Sequence, residues 1–498
     1  MGIFTGLISG FQTALQPLNF LYCFVGVLIG TLIGVLPGIG PIGALSILLP
    51  ATFGMPASSS IIMLAGIFYG AQYGGSTTSI LVNIPGEATS IITCLDGYQM
   101  AKRGRAGPAL GISAFGSFIG GTFSLLVLLF LVFPLADAAL KFGAPEYFSV
   151  VFLSMTVLTY LTVGSVVNAT IMILVGLILG TVGVDMISGM QRFTFGCASL
   201  LDGIELISLA MGFFGISEIL IDMEGSEDQS IIERKIKIKH LLPNVQDWRR
   251  SIGPIIRGSL IGFILGIFPG SGVIPTFLSY SVEKKLSKNP QEFGQGAIEA
   301  VAGPETANNA MAGAHFVPLL SLGIPASGTM ALLLGALIIH GVTPGPLLIS
   351  QHPEVFWGVI ASMYIGNVML LLLNLPLIGI WVRVLRVPRG ILMPLILLCC
   401  LIGAYSVHDN PMDVTIMIIF GVAGYILRKF DYELTPLLIA FVLAPLLETS
   451  LRQSLILSDG KLSIFAERPI SFAILGISIL LVISSGFSSY RKTRKRIQ

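Results

Sequence analysis

Charge is what this sequence has least of. Only 11% of its 498 residues are charged, 54% are hydrophobic, and no residue before Glu87 carries a charge. A soluble domain has about 25% charged residues, and the mean hydropathy here is +0.89. Apolar runs long enough to cross the hydrocarbon core, which takes about 20 residues each, recur along the chain. The composition excludes a soluble protein and predicts an all-α polytopic protein in a lipid bilayer.

Other features are also absent. With a formal net charge of +2 and no basic stripe carrying interleaved aromatics, the sequence predicts no nucleic-acid partner. The five cysteines lie in apolar surroundings without metal-ligand spacing, so we interpret them as small core residues and expect no cofactor or bound metal beyond a possible Na⁺. The N-terminus lacks the basic region and cleavage site of a signal peptide, so the first spanning helix is expected to stay in the mature protein.

One pattern occurs twice. Gly30–Gly40 reads GTLIGVLPGIG and Gly262–Gly272 reads GFILGIFPGSG, and matching positions are 232 residues apart. A second echo follows each copy: Asn83–Thr89 and Gly323–Thr329 both hold an Ile-Pro pair, 240 residues apart. The echoes predict two copies of one membrane unit, repeat 1 over residues 1–221 and repeat 2 over residues 258–487.

The basic residues indicate how the repeats are oriented. They cluster near Lys102, in the polar segment 222–257, near Lys284, near Arg383 and in the tail 488–498. Short loops rich in Lys and Arg stay cytoplasmic, so we predict a cytoplasmic linker at 222–257 and a basic cytoplasmic tail at 488–498. The helix after the first echo then leaves the cytoplasm, whereas its counterpart enters it. Inverted repeats of this kind place transport sites near the bilayer midplane.

The two Pro-Gly-x-Gly segments predict breaks in membrane helices. Proline removes a backbone donor and glycine permits conformations that a helix forbids, and such a break must be satisfied by protein or water. Its exposed amides suit an anion and its carbonyls suit a cation. The candidate substrate-binding residues here are Gly38, Gly40, Gly270, Ser271 and Gly272.

Two alternatives stay open at these segments. Glycine and proline could instead mark a kink or close helix packing. The basic residues behind Gly272 favour a re-entrant hairpin that turns at Pro-Gly-Ser-Gly, although a discontinuous spanning helix fits nearly as well.

Polar side chains lie between the echoes of each copy. Small hydroxyl and amide groups suit a carboxylate or a dehydrated Na⁺, but they also hold helices together. The candidate substrate ligands are Ser76, Thr77, Thr78, Asn83, Thr306, Asn308, Asn309 and Ser327.

Carboxylates near these runs are candidates for the coupling ion, Na⁺ or H⁺, because a charged group in hydrocarbon is costly and usually functional. The coupling-ion candidates are Glu87 and Glu305, with the turn residues Pro85 and Pro325. His315 is either a proton relay or a hydrogen-bonded structural histidine.

These motifs carry a family resemblance. The doubled Gly-x-x-x-Gly-x-x-Pro-Gly-x-Gly, the run from Tyr73 to Gly86, and Gly303–Ala310 with its Pro-Glu-Thr-Ala-Asn-Asn core resemble the large membrane subunit of the tripartite tricarboxylate transporters. The resemblance covers about residues 10–480. It implies a secondary transporter of the bacterial inner membrane that works with a small four-helix membrane subunit and a periplasmic solute-binding protein delivering a carboxylate. Distant kinship with the ion-transporter superfamily implies an elevator-like movement.

The leading hypothesis is therefore cation-coupled uptake of a di- or tricarboxylate, with the C-terminus in the cytoplasm. A stand-alone anion transporter, a passive channel and an intramembrane enzyme using Ser271 are the alternatives. The enzyme is disfavoured because position 269 is proline and the matching residue in the first copy is Ile39, so no nucleophile is repeated.

Overall fold

A computed structural model describes residues 2–36, 39–161, 165–185, 187–224, 241–384, 389–406 and 408–497. Pro37, Gly38 and most of the predicted linker lie outside the described residues. The α-helices of the first half are α1 Ile3–Ala14, α2 Pro17–Val35, α3 Gly40–Leu48, α4 Ala57–Val82, α5 Ile91–Met100, α6 Ala106–Ala139, α7 Ala144–Leu161, α8 Val166–Leu179, α9 Leu206–Ala210 and α10 Ser217–Glu224.

The second half is also helical. Its helices are α11 Val245–Gly266, α12 Ile274–Leu286, α13 Glu299–Ala314, α14 Phe316–Leu322, α15 Gly328–Ile339, α16 Leu348–Gln351, α17 Pro353–Asn374, α18 Ile378–Val384, α19 Arg389–Tyr405, α20 Pro411–Lys429, α21 Thr435–Leu457, α22 Ile464–Glu467 and α23 Pro469–Ile497. Short 3₁₀ turns span Leu49–Thr52, Ala88–Ser90, Ala198–Leu200 and Pro290–Glu292, and π turns span Ala101–Arg105 and Met211–Ile216.

The all-α polytopic prediction is confirmed. Among the described residues, seven helices are long and apolar enough to cross a membrane. The strands in this part of the chain are the two-residue β1 Gly183–Val184 and β2 Gln191–Arg192, which pair antiparallel. The cysteine interpretation holds for Cys23 and Cys400, which are buried, but is wrong for Cys399, which is exposed on α19.

The Gly-x-x-x-Gly pairs bring helices into close contact. A Cβ at Gly30 would lie 2.3 Å from the carbonyl oxygen of Ile67, and a Cβ at Gly262 would lie 2.2 Å from that of Ala307. Because nothing larger than glycine fits there, α2 packs on α4, and α11 packs on α13. These glycines therefore serve helix packing, and in the second copy the Pro-Gly-Ser-Gly residues that follow form the turn between α11 and α12.

Helices also pack across the two halves. Helix α6 lies against α13, and α17 lies against α4. Farther along the chain, α8 packs on α21, and α20 packs on the π turn before α10. Each such pair joins one helix of the first half to one of the second, so the halves are interleaved rather than side by side.

Helices α11 and α12 form a hairpin. The Arg257 guanidinium of α11 donates two hydrogen bonds, of 2.8 and 2.5 Å, to the Glu283 carboxylate of α12. Both residues are 13 positions from Gly270, which at 1.5 Å per residue puts the turn about 20 Å beyond this ion pair. The two arms thus start and finish at the same end of the molecule, which is the geometry of the re-entrant hairpin.

Ion pairs join segments that are far apart in the sequence. Arg105, in the predicted cytoplasmic cluster near Lys102, pairs with Asp247 of the segment 222–257. Arg428 pairs with Glu218, and Arg452 pairs with Asp185 at 2.7 Å. Helix α11 begins at Val245, inside the segment predicted as a linker. The predicted boundary between the linker and repeat 2, at residues 257 and 258, therefore lies within this helix.

Candidate functional site

The two Ile-Pro turns begin and end with the same backbone conformation. Asn83 caps the C-terminus of α4 in the left-handed region, at φ 62° and ψ 27°, and Gly323 caps α14 at φ 71° and ψ 25°. Four residues later, Glu87 and Ser327 both have a φ of −148°, with ψ of 163° and 168°. Each turn ends one helix and starts another. The 240-residue echo in the sequence thus corresponds to two turns whose first and last residues have matching torsion angles.

A cavity of about 370 Å³, which we call the central cavity, lies between these turns and the hairpin tip. Its wall includes Glu87, Thr89, Gly270, Gly272, Ser327 and Thr329, together with Gln72, Met311, His315 and Glu433. Both halves of the chain contribute. The volume lies within the range of small-molecule sites, about 300 to 1,000 Å³.

Five helices begin in the wall of the central cavity. The lining residues include the first turns of α3, α5, α15 and α21 and the residues that lead into α12. A Cβ at Gly328, the first residue of α15, would lie 2.9 Å from Ile42 of α3 and 3.3 Å from Thr435 of α21, so three of these starts touch one another. Helix N-termini carry partial positive charge, and the wall therefore suits an anion.

The hairpin tip is held against the second Ile-Pro turn. The Gly270 N–H donates to the Ala326 carbonyl at 3.0 Å. Gly270 and Gly272 have φ values of 79° and 47°, and a Cβ at Gly270 would lie 2.7 Å from the Cα of Leu158. Both the backbone conformation and the contact with α7 therefore require glycine at position 270. In the first copy, Gly40 has a φ of 62° and starts α3.

Glu87 is the carboxylate of the central cavity that links the two halves. The Asn308 Nδ2 donates to Glu87 Oε1 at 2.6 Å. The Gln72 amide also donates to this carboxylate when its nitrogen faces it. Among the described residues, no lysine or arginine is within ion-pair distance of Glu87 or Glu305.

Glu305 lies deeper, 1% exposed. Its carboxylate accepts hydrogen bonds from Ser76 at 2.5 Å, from Ser113 at 3.1 Å and from Thr93. We call these three hydroxyls around Glu305 the hydroxyl cage. They come from α4, α5 and α6 of the first half, whereas Glu305 belongs to α13 of the second. Hydroxyl oxygens and a carboxylate can take up a proton or a small hard cation.

Asn309 follows Glu305 by one helical turn. Its Nδ2 donates to Ser117 Oγ at 2.7 Å and to the Glu305 carbonyl at 3.2 Å, while its Oδ1 has no partner among the described residues. Asn308 and Asn309 thus point to different neighbours. One contacts the carboxylate of the central cavity, and the other extends the polar contacts around Glu305.

Several predicted ligands do not line the central cavity. Thr78 donates to the Val35 carbonyl at 2.6 Å and joins α4 to α2. Thr306 donates to the Ala302 carbonyl of its own helix and packs against Gly120 of α6. Asn83 is exposed at the end of α4, so its contribution is the left-handed turn.

The remaining predicted residues lie near the site without facing it. Thr77 is buried on α4, and Pro85 and Pro325 shape the two turns without lining the cavity. Ser271 is fully buried, and its Oγ has no partner among the described residues.

His315 does not match the alternative of a hydrogen-bonded structural histidine. It is 3% exposed and lines the central cavity, but neither ring nitrogen has a hydrogen-bond partner within the described residues. A hydrogen-bonded structural histidine would have one. The ring of Phe68 stacks on it, with centroids 6.4 Å apart.

Sequence reasoning missed other residues of the site. Thr89 and Thr329 both line the cavity, and both stand at the end of the 240-residue echo, so the repeat itself contained that signal. Gln72 is a lone amide in an apolar stretch of α4, where an uncompensated polar group is costly. Thr93 and Ser113 carry no such signal, because their role depends on how α5 and α6 pack.

Comparison with known proteins agrees with this architecture. The model of the tripartite tricarboxylate transporter TctA family matches residues 20–439. The chain belongs to the TctA family. It is therefore a multi-pass subunit of a transporter rather than an enzyme, which removes the alternative of an intramembrane enzyme using Ser271.

Two relatives come from Agrobacterium vitis. The chain is 50% identical over 498 residues to an uncharacterized 52.8 kDa protein in the TAR-I ttuC' 3' region, covering 100% of this chain and 99% of that protein. It is 52% identical over 237 residues to an uncharacterized protein in the TAR-II ttuC' 3' region, covering 47% of this chain and 98% of that protein. No solved structure matches.

Proposed function

We propose that this TctA-family chain takes up a di- or tricarboxylate across the bacterial inner membrane, coupled to Na⁺ or H⁺, and that the central cavity holds the substrate. The observation that carries the proposal is the meeting of five helix starts, from both halves of the chain, around one cavity of about 370 Å³. Backbone amides at helix N-termini bind carboxylates without needing lysine or arginine.

Charge balance supports coupling to a cation. Glu87 lines the same cavity as the proposed anion, and it has no cationic partner among the described residues. Bringing an anionic substrate next to a buried carboxylate is unfavourable unless a proton or a cation enters with it. Glu87 and the hydroxyl cage are the places where that charge would be held.

The packing supports inverted repeats. The Ile-Pro turns share their torsion angles, the glycine contacts of α2 with α4 recur in α11 with α13, and α6 and α17 cross to the opposite half. We propose that the repeats span residues 1–221 and 258–487 and that the hairpin and both turns move together in an elevator-like cycle. The ion-paired basic segments lie at the cytoplasmic face, with the C-terminus there as well.

Uptake is also proposed to need two partners: the small four-helix membrane subunit and a periplasmic solute-binding protein. The family is one of three-part transporters, which supports this assignment. The binding protein delivers the carboxylate, so it contributes to selectivity along with the central cavity.

Reconstitution tests the proposal. Proteoliposomes that contain all three proteins should accumulate a radiolabelled di- or tricarboxylate when a Na⁺ or an H⁺ gradient is imposed. Imposing each gradient alone identifies the coupling ion, and omitting each partner tests the requirement for it. Accumulation that ignores both gradients would contradict coupling, and full activity of the chain alone would establish a stand-alone anion transporter. Equilibration without accumulation would indicate a passive channel.

A further inference from the structure

His315 is a buried polar side chain that the protein leaves unsatisfied. Both Nδ1 and Nε2 lack a hydrogen-bond partner among the described residues, and the side chain is 97% shielded from solvent, with 3% exposed. Buried polar groups are nearly always hydrogen-bonded, and an exception points to a functional role or to a molecule that binds there. His315 lines the central cavity, so a bound molecule can reach it.

The fold holds this ring in place. His315 stands at the junction of α13 and α14, with helical φ and ψ of −58° and −26°. Phe68 of α4 stacks on the imidazole at an interplanar angle of 21°. The backbone position between α13 and α14 and the stacked Phe68 ring therefore hold the imidazole, although no hydrogen bond from the described residues does. A site that fixes a side chain while leaving its polar atoms free is arranged for a ligand.

We propose that His315 donates a hydrogen bond to an oxygen of the carboxylate substrate and so helps to select it. This inference rests on the proposed function, because it needs a carboxylate in the central cavity. A neutral imidazole offers one N–H donor, and a carboxylate or hydroxyl oxygen can accept from it. The helix starts around the cavity offer backbone donors, whereas Glu87 offers only acceptors when ionised. His315 therefore adds a side-chain donor to the wall.

The cation is a poor alternative occupant. Na⁺ prefers oxygen ligands, which the hydroxyl cage and Glu87 supply, whereas an imidazole nitrogen is a ligand for transition metals. Among the described residues, no group of three or more His, Cys, Asp or Glu side chains could hold such a metal. A substrate oxygen is thus the partner that the chemistry of the cavity favours.

The test is calorimetric titration of the purified full-length chain in detergent with citrate and with tricarballylate, which differs from citrate only in lacking the hydroxyl. H315F keeps a ring against Phe68 but has no nitrogen, and H315Q keeps an amide donor. We expect H315F to weaken binding about 10- to 100-fold, the value of a hydrogen bond to a charged group, and H315Q to restore most of it. H352Q makes the same change at a histidine outside the cavity and should bind as wild type.

The two ligands identify the oxygen. An equal loss for both ligands in H315F assigns the hydrogen bond to a carboxylate, and a loss for citrate alone assigns it to the hydroxyl. Unchanged binding of both ligands by H315F would overturn the inference, as would an equal loss in H315Q and H315F. If H315F does not fold, H315L replaces it, with the thermal unfolding midpoint as the folding control. A wild-type chain that binds neither ligand would instead count against the proposed function.

Discussion

Replacing Gly262 by alanine should separate two helices and loosen the hairpin. The added methyl would lie 2.2 Å from the carbonyl oxygen, 2.7 Å from the Cα and 2.8 Å from the carbonyl carbon of Ala307. All three atoms belong to the backbone, so no side chain can rotate away to make room. Because carbon atoms pack at about 3.5 to 4.0 Å, α11 must move by about 1 Å or more relative to α13.

The cost follows from this contact. Overpacking a well-packed interior typically costs about 1 to 3 kcal/mol, and here the strain falls directly on backbone atoms. The displacement also reaches the site, because α11 is the arm that carries Gly270 into the central cavity and α13 carries Asn308 to Glu87. G262A should therefore lower both the apparent unfolding midpoint and the affinity for the carboxylate.

The chain offers two matched variants. At Gly476 of α23 an added Cβ meets nothing within 4 Å, so G476A makes the same chemical change without a clash and should be neutral or slightly stabilising. Gly30 faces Ile67 at 2.3 Å, so G30A should destabilise the chain about as much as G262A. The assay is fluorescence-detected thermal unfolding of the purified chain in detergent, with carboxylate titration alongside it.

Two results would refute the reasoning. A G262A midpoint equal to that of wild type would show that the helices can separate at little cost. An equally large decrease in G476A would show that the loss arises from glycine substitution in general and not from the contact. A large difference between G30A and G262A would leave the contact argument intact but would count against equivalent roles of the two helix pairs.

Three further outcomes are expected. E87Q keeps the shape of Glu87 but removes its charge, so uptake in proteoliposomes should lose its dependence on the coupling gradient; an unchanged dependence would exclude this carboxylate. S76A removes a donor from the hydroxyl cage and should change the cation dependence of uptake. T78A removes only the hydrogen bond between α4 and α2, so it should lower the unfolding midpoint and leave the cation dependence unchanged. Identical behaviour of the two variants would contradict these separate roles. Hydrogen bonds from Ser188, from a backbone N–H and from an arginine hold the pKa of Asp185 well below its ordinary value. The ionised Asp185 therefore stabilises the folded protein above about pH 4, and this contribution is lost as the pH falls toward the folded-state pKa. D185N should accordingly be less stable than wild type at pH 7, with the difference shrinking below about pH 4; a difference independent of pH would contradict the assignment.

The sequence was sufficient for features that depend on local chain chemistry. Composition predicted the membrane class, and the doubled Pro-Gly-x-Gly pattern marked the hairpin turn, because glycine and proline act on their own backbone. The residues 284–288 indicated the return of the hairpin to its starting side, and the Arg257 to Glu283 pair agrees with that geometry.

Features that depend on packing between distant segments could not be predicted from the sequence. Ser76 and Thr78 are two residues apart in the same polar run, yet one reaches Glu305 and the other reaches the backbone of α2. On a helix their side chains point about 200° apart, so each one meets a different neighbouring helix. The polar run itself does not show which neighbour that is. The two alternatives for His315, a proton relay and a structural histidine, stayed open for the same reason, since a single sequence cannot show whether a hydrogen-bond partner exists.

The proposed repeats also suggest how one site handles two ions of opposite charge. The turns are alike in backbone, but the position that holds Glu87 in the first turn holds Ser327 in the second, and both line the central cavity. Helix starts, which depend only on the backbone, are available in both halves and suit the anion. The carboxylate is present in only one of the two turns, so of the two turns only the first can pair with the cation. An S327E variant would place a second carboxylate beside the anion, and we expect it to weaken carboxylate binding much more than S327A does, because only the first adds a negative charge.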